Sequence, residues 1–192
     1  MPQDYRRILW EANADTVVKL TRQFDKGLRI ADVGIGTGYG TVQTLENMAA
    51  AGMDIACVTV FEPAAELVKA ARRRLDRPNY HGKINFAGAP DAQWHEFVRP
   101  SSHHMVSYVA SMHMGDNPYK SPRIAYEMLL PGGFVISADY HDRYAIEVYM
   151  EEFRKAGFLL DTAEIIEAVK ENPKQLLPQS RFLMLLVGQK PS

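Results

Sequence analysis

The sequence predicts an α/β fold, a single doubly wound sheet that is mostly parallel and ends in an antiparallel C-terminal edge hairpin. Three observations support this prediction. Apolar runs of strand length alternate with segments of helical spacing along most of the chain. The run 55–61 is too apolar to face water on either side, as in sheets that helices cover on both faces. The last two apolar runs, 159–166 and 181–188, have no long helical pattern between them, which favours an antiparallel pair.

The remaining elements follow in a regular order. Residues before 25 have helical spacing, and we interpret 1–25 as an N-terminal helical lid that precedes a domain of residues 26–192. Short apolar runs predict five buried strands at 28–33, 55–61, 83–87, 104–110 and 133–138. Helical spacing predicts helices at 39–51, 64–75 and 143–156. Glycines directly after the first and last of these helices are typical of helix ends.

Composition and charge restrict the classes of function. The chain has 192 residues, enough for a sizeable core, and its formal net charge is −1. No overall field therefore favours nucleic acid or an anionic membrane as a partner. The first residues lack the apolar run of a signal peptide, and no stretch is long enough to span a bilayer. We therefore expect a cytoplasmic protein without a membrane partner, and both a monomer and a homodimer remain open.

The most informative stretch is IADVGIGTGYG, residues 30–40, at the end of the first predicted strand. Glycine stands at every second position from Gly34 to Gly40, which permits a tight turn and lets a ligand approach the backbone closely. The start of the following helix presents unpaired N–H groups and a positive dipole end, which suit an anionic group. Asp32, just before the turn, would repel phosphates but would favour a cation.

Two nucleotide-binding motifs do not fit these letters. The dinucleotide pattern G-x-G-x-x-G fails because Tyr39 and Thr41 stand at the third glycine position of its two registers. The phosphate loop requires Gly-Lys-Ser/Thr, and neither Gly38 nor Gly40 is followed by lysine. The sequence therefore disfavours a cofactor rich in phosphate.

The segment from Asp32 to Gly38 resembles motif I of the class I S-adenosylmethionine-dependent methyltransferases, which have a Rossmann-like fold. Three further segments keep the order and spacing of that family: Glu62-Pro63 after the second strand, 128–138 (MLLPGGFVISA), and 153–158 (FRKAGF). The likeness covers roughly residues 28–188. It implies S-adenosylmethionine as the cofactor, S-adenosylhomocysteine as its product, and methyl transfer as the activity.

The resemblance also implies how the cofactor is held. The glycine turn would receive its methionyl end, with Asp32 as the negative partner, and Glu62 would accept hydrogen bonds from the ribose hydroxyls. Asp91 is the candidate for the adenine amino group, although the family commonly has Gly-Asp where this chain has Gly88-Ala89-Pro90-Asp91. The predicted cofactor-binding residues are Asp32, Gly34, Ile35, Gly36, Thr37, Gly38, Glu62, Pro63, Ala89, Asp91, Tyr108 and Val109.

Methyl transfer from a sulfonium requires chiefly that the acceptor is aligned with the methyl group and that water is kept out. A general base helps when the acceptor is a hydroxyl or a protonated amine. The candidates for that role are His113, Asp139 and His141, which follow the fourth and fifth strands. No metal site is predicted, because no carboxylate ends the fourth strand to share an ion with Asp139 and the histidines lack a zinc spacing.

The acceptor is predicted to be a small molecule. No added recognition domain is visible, so only the N-terminal segment and the loops 111–124 and 139–145 can shape a pocket. A weaker similarity of 62–66 and 104–116 to small-molecule N-methyltransferases of the histamine type points the same way. Two alternatives remain open: a nucleic-acid or protein methyltransferase that needs a partner, and a non-catalytic cofactor-binding protein of the same fold. Arg72, Arg73, Arg74 and Arg77 are interpreted as a solvated helix end, which disfavours nucleic acid.

Overall fold

The computed structural model describes residues 3–24, 27–111, 120–169 and 181–192. In this part of the chain the strands are β1 (Leu28–Val33), β2 (Ile55–Phe61), β3 (Ile84–Ala87), β4 (His103–Val109), β5 (Leu129–Asp142), β6 (Leu159–Val169) and β7 (Arg181–Gln189). The α-helices are α1 (Gln3–Thr21), α2 (Tyr39–Ala50), α3 (Ala65–Leu75), α4 (Ser121–Met128) and α5 (Arg143–Ala156). Short 3₁₀ helices span Pro78–Tyr80 and Asp91–Glu96.

The strands form one sheet in the order β3-β2-β1-β4-β5-β7-β6. All pairs from β3 to β5 are parallel. β7 pairs antiparallel with both β5 and β6, so that the last two strands form the far edge of the sheet. The prediction of a single, mostly parallel, doubly wound sheet with an antiparallel C-terminal edge is confirmed. Its parallel strands place the turns after β1, β2, β3 and β4 at one carboxyl edge, where ligands bind in such sheets.

Side chains of each strand alternate between two helical layers. Ile30 of β1 packs in a core formed with α1, α2 and α3, whereas Ala31 packs in a second core formed with α4 and α5. The same alternation continues along β7, where Leu183, Leu185 and Val187 face the first layer and Met184 and Leu186 face the second. Because both faces are covered, the strand sequences are apolar almost throughout.

Helix α1 is part of the first layer. Three of its side chains have no exposed surface: Leu9, Ala14 and Val17. A buried chain of hydrogen bonds also joins it to the sheet and to α2. Ser107 Oγ donates to Asn13 Oδ1 over 3.0 Å, and Asn13 Nδ2 donates to Thr44 Oγ1 over 3.3 Å. The helix is thus packed into the core, and its role as a lid, with the division at residue 25, stays a prediction.

Two elements differ from the sequence-based expectation. α4 occupies part of a stretch that we expected to be loop, because a helix of 8 residues that begins at a proline has too few turns to show a clear period. β5 begins at Leu129 instead of residue 133, since the Pro-Gly-Gly segment is an irregularity within the strand. There the partners of β5 change from His103–Leu129 to Met105–Phe134. β5 also continues to Asp142 because pairing with β7 extends it, so the expected loop 139–145 is wrong and Asp139 and His141 lie within the strand.

No helix in the described ranges is both long and apolar enough to cross a bilayer.

Candidate functional site

Three of the four alternating glycines are bare because protein atoms occupy the space that a side chain would need. A Cβ on Gly34 would lie 2.3 Å from the Cβ of Ser111, and one on Gly40 would lie 2.7 Å from Cδ1 of Trp10. A Cβ on Gly38 would lie 3.3 Å from the backbone of α3, and the φ of +82° at this position also favours glycine. These three positions are therefore explained by packing.

Gly36 is different, because a Cβ built on it meets no atom within 4 Å. Its φ is +55°, and its N–H donates to Oε2 of Glu62 over 2.9 Å. Oε1 of the same carboxylate accepts the N–H of Ala64 over 3.0 Å. Glu62, which is only 7% exposed, thus ties the turn after β1 to the turn after β2. Each carboxylate oxygen has capacity for one further hydrogen bond.

The start of α2 supplies donors beside this open backbone. Its N-cap residue is Gly38, no side chain among the described residues caps it, and its first turn has no acidic residue. The N–H of Gly38 itself donates to Ile35 O over 2.9 Å. The first-turn N–H groups of an α-helix have no partner within the helix, and the dipole there is positive. This end of α2 is therefore suited to a carboxylate or another anionic group.

Asp32 lies below the turn, at the end of β1, and is 9% exposed. Its Oδ2 accepts the hydroxyl of Thr41, in the first turn of α2, over 2.7 Å. Burial raises the pKa of Asp32 to about 6, although the hydrogen bond from Thr41 lowers it. A cationic group nearby would favour the ionised form of this carboxyl.

Asp91 lies on the same edge, at the start of the 3₁₀ helix after β3. Its Oδ2 accepts the hydroxyl of Tyr108 over 3.2 Å and that of Ser121 over 3.0 Å. Tyr108 is 1% exposed, and burial together with the charge of Asp91 raises the pKa of the phenol well above its ordinary value. One carboxylate oxygen of Asp91 is thus held by β4 and α4, which fixes the orientation of the other.

The other predicted cofactor-binding residues also lie at the carboxyl edge. Pro63 is exposed after β2, Ala89 is buried after β3, and Val109 is half-buried at the end of β4. Ile35 and Thr37 are half-buried members of the glycine turn. Hydrogen bonds join three pairs from the predicted set: Gly36 with Glu62, Asp91 with Tyr108, and Gly38 with Ile35 inside the turn.

The three candidate bases have different surroundings. Asp139 has no exposed surface and lies opposite Met184, on the face of the sheet that α4 and α5 cover. His113 lies outside the described residues. The backbone of His141 pairs with that of Phe182, and its side chain also lies outside what the structure describes. In the described ranges, no three His, Cys, Asp or Glu side chains are grouped as a metal ion would require.

Sequence reasoning missed several residues that shape the glycine turn. Ser111 fills the space at Gly34, and its Oγ donates to Val33 O over 2.7 Å. Arg74, interpreted from the sequence as solvated, is half-buried, and its guanidinium donates a hydrogen bond to the carbonyl of Thr37. The sequence could show that Arg74 lies on a helix but not that it contacts the glycine turn, because that contact is defined by the tertiary fold.

No protein-family model and no curated protein sequence matches the chain. Solved structures do match. The trans-methyltransferase CalH, in complex with S-adenosylhomocysteine, has a TM-score of 0.72 and 14% identity, and the match covers 96% of this chain and 58% of CalH. The [4+2]-cyclase SpnF has a TM-score of 0.71 and 18% identity, over 93% of this chain and 79% of SpnF. A complex that contains the Haloferax volcanii Trm112 methyltransferase activator also matches. Its TM-score is 0.69 and the identity is 18%, over 94% of this chain and 89% of the matched chain.

At these identities the likeness shows the fold alone. A methyltransferase and a [4+2]-cyclase are both among the matched structures, so the fold by itself does not define the reaction. The strand order, the glycine turn after β1 and the acidic residue after β2 nevertheless agree with what the sequence motifs implied. The chain has the fold of the class I S-adenosylmethionine-dependent methyltransferases.

Proposed function

We propose that the chain is an S-adenosylmethionine-dependent methyltransferase that acts on a small-molecule acceptor. The observation that carries this proposal is the environment of Gly36. Judged by the residues that the structure describes, it is the one glycine of the turn with open space beside it, and its N–H is bonded to Glu62 directly after the neighbouring strand. A ligand that lies against this backbone also meets the carboxylate that its ribose would need.

The donor and acceptor groups of the site match the parts of the cofactor. The N-terminus of α2 suits the methionyl carboxylate, and Asp32 suits the ammonium group. Glu62 has remaining acceptor capacity for the ribose hydroxyls, and the oxygen of Asp91 that Tyr108 does not hold suits the adenine amino group. When bound, the cofactor supplies an electrophilic methyl group on a positively charged sulfur.

One comparison and the placement of the sequence motifs support the proposal. CalH is a trans-methyltransferase whose structure holds S-adenosylhomocysteine, and the match to it covers 96% of this chain. The motifs of residues 32–38 and 62–63 lie at the carboxyl ends of β1 and β2, and the motif of residues 128–138 covers the first part of β5. SpnF, a [4+2]-cyclase, is the reason that turnover has to be tested separately from cofactor binding.

We assign the chemistry at the acceptor to the carboxyl ends of β4 and β5, since His113 follows β4 in the sequence and His141 is near the end of β5. His113 or His141 would remove a proton from a hydroxyl or ammonium acceptor, and an imidazole is suited to this near neutral pH. Asp139 is a weaker base candidate because its carboxylate is completely buried. His113→Ala should lower methyl transfer more than cofactor affinity if His113 is the base, and equal activity would remove it from the list.

The decisive test of the site is calorimetry with S-adenosylhomocysteine. Gly36→Ala places a methyl group in the open space, at a φ of +55°, and should weaken binding at least tenfold. Gly52→Ala is the matched control. Gly52 has a positive φ as well, +72°, and open space around it, but it lies beyond the end of α2. The control introduces the same kind of backbone strain and should leave affinity unchanged. Equal effects of the two substitutions would contradict the site assignment.

The acceptor would be sought by screening metabolites with a labelled methyl donor. Transfer to small amines, hydroxyls or acids would support the proposal. Cofactor binding without transfer to any acceptor would instead support the non-catalytic alternative.

A second candidate function is methylation of nucleic acid or protein together with a partner. A groove on α3 is lined by Arg73, Arg74, Arg77 and Asp76, so cations are concentrated on this surface. One matched structure is a complex with a methyltransferase activator, Trm112. Binding to RNA that weakens steeply with salt would favour this function over the small-molecule one.

A further inference from the structure

We propose that Arg74 is a positioning residue that holds the glycine turn in its binding conformation and thereby tightens cofactor binding without contacting the cofactor. The inference rests on the proposed function. It assigns a structural task to one of the arginines that close α3, which the sequence presented only as a charged helix end.

Arg74 makes two contacts with the turn. Its guanidinium donates a hydrogen bond to the carbonyl oxygen of Thr37. The same guanidinium lies over the ring of Tyr39, with Cζ 3.5 Å from the ring centroid. Thr37 lies between two glycines of the turn and Tyr39 is the first residue of α2, so one side chain bridges the turn and the helix that follows it.

The peptide unit between Thr37 and Gly38 is consequently held at both ends. Its N–H, on Gly38, donates to Ile35 O over 2.9 Å, and its carbonyl accepts the bond from Arg74. Gly38 bounds this peptide with a φ of +82°, and Gly36, one residue before Thr37, has a φ of +55°. Glycines have many accessible conformations, so this peptide would rotate readily without an external partner. The observed affinity for a ligand decreases when a smaller fraction of the protein molecules has the binding-competent conformation.

Packing of α3 against the turn fixes the position of Arg74 relative to Thr37 and Tyr39. A Cβ on Gly38 would lie 3.3 Å from Ala71 and 3.6 Å from Leu75, so α3 lies directly against the turn. Ala71 is completely buried and Leu75 is 3% exposed, which fixes the helix on the core. Trp10 stacks on Tyr39 with a centroid distance of 5.8 Å, and this adds α1 to the same contact.

Other cations on α3 or just after it have different contacts. Arg72 lies over the ring of Phe86, 4.3 Å from its centroid, and Arg77 pairs with Glu46. Lys69 is exposed on the same helix and is the control, since Lys69→Met removes one positive charge from α3 and leaves the turn contacts in place.

The first measurement is S-adenosylhomocysteine affinity by calorimetry. Arg74→Met should raise Kd about tenfold, because the peptide loses a charge-assisted hydrogen bond and the ring loses its cation. Arg74→Lys keeps the cation and a donor but loses the planar fork, so it should recover part of the affinity. Lys69→Met should leave Kd unchanged. Equal affinity of Arg74→Met and the wild type would overturn the inference.

The second measurement is amide hydrogen exchange without ligand at Gly36 and Gly38, whose N–H groups are hydrogen-bonded within the site, and a merely local loss of charge would not change it. Exchange at these amides should accelerate about tenfold in Arg74→Met, with a smaller change in Arg74→Lys and none in Lys69→Met. Unchanged exchange would also overturn the inference. If Arg74→Met does not fold, Arg74→Lys provides both readouts. Failure of the wild type to bind S-adenosylhomocysteine would contradict the proposed function, whereas the exchange experiment tests Arg74 independently of that outcome.

Discussion

Replacing Asp32 by asparagine should raise the stability of the fold and weaken cofactor binding, because the ionised carboxylate of Asp32 destabilises the fold but attracts the ammonium group of the cofactor. Asp32 is 9% exposed, and burial raises its pKa to about 6. A carboxyl group with a raised pKa holds its proton more tightly in the folded chain than in the unfolded chain, so its ionisation destabilises the fold. Asparagine keeps an oxygen that can accept the Thr41 hydroxyl but carries no charge.

The size of the effect follows from the pKa. A rise from 3.8 to about 6 corresponds to about 3 kcal/mol of destabilisation once Asp32 is ionised. The folded chain binds more protons than the unfolded chain between about pH 4 and pH 6, so this contribution to stability falls as pH rises through that window. From about pH 5 to pH 7 the ionised fraction rises from about one tenth to about nine tenths, which is nearly tenfold.

The assay combines urea unfolding with calorimetry over this pH range. Relative to the wild type, Asp32→Asn should gain stability as pH rises from about 4 to above 6, and it should exceed the wild type above pH 6 by less than about 3 kcal/mol, because a buried amide N–H costs free energy of its own at every pH. His103 acts in the opposite direction, since burial lowers its pKa to about 4 and its contribution rises with pH up to about 6.5. The two proteins are therefore compared at each pH.

Affinity for S-adenosylhomocysteine should show the reverse preference. In the wild type it should rise nearly tenfold from about pH 5 to pH 7, because the ionised Asp32 attracts the ammonium group, and in Asp32→Asn it should be weaker and flat. Asp76→Asn, which removes an exposed carboxylate paired with His81, should keep the wild-type profile. An Asp32→Asn protein that is less stable at every pH, or that keeps the wild-type binding profile, would refute this reasoning.

Three further substitutions test other contacts. Glu62→Gln should weaken S-adenosylhomocysteine binding about tenfold in calorimetry, because an amide accepts only one of the two backbone N–H bonds, while Glu66→Gln on the exposed side of α3 should not. Tyr108→Phe should weaken binding of S-adenosylhomocysteine and of adenosine alike, since the lost hydroxyl orients Asp91, which we assign to the adenine amino group. Weaker binding of only one of the two ligands would contradict this role of Asp91. Gly133→Ala should lower the free energy of unfolding by about 2 kcal/mol in urea, because its Cβ would lie 2.9 Å from a backbone oxygen, whereas Gly88→Ala, with open space, should change it by less than about 0.5 kcal/mol.

Most of the fold could be predicted because burial on both faces of the sheet leaves a strong local signal. The bounds of β1, β2 and α5 agree with the sequence prediction, since each is a run whose apolar period is set by its own residues. α4 could not be predicted in this way. Its buried residues are Ser121, Pro122, Ala125 and Met128, a set with little hydrophobic contrast.

The candidate site was predictable as a place but not as an arrangement. The letters of residues 32–38 indicate a turn at the carboxyl edge, and the structure has one there. The letters do not show that Gly40 is bare because of Trp10, or that Gly34 is bare because of Ser111, since these partners are remote in sequence. Contacts between remote residues leave no periodic signal in a single sequence.

His104 is a further case of a role that the residue type alone does not reveal. It is the second residue of β4 and is not among the candidate residues that the sequence indicates. In the structure Nδ1 of His104 accepts the N–H of Arg29 over 3.1 Å, so a ring nitrogen links the starts of β4 and β1.

The burial of α1 has a practical consequence for anyone who expresses this protein in fragments. A version that starts after residue 25 would lose Leu9, Ala14 and Val17, and with them the cover over part of one sheet face. It would also leave Ser107 and Thr44 without their shared partner Asn13. Such a fragment would expose an apolar surface through which its copies associate, and we expect it to aggregate even though every residue of the glycine turn is still present.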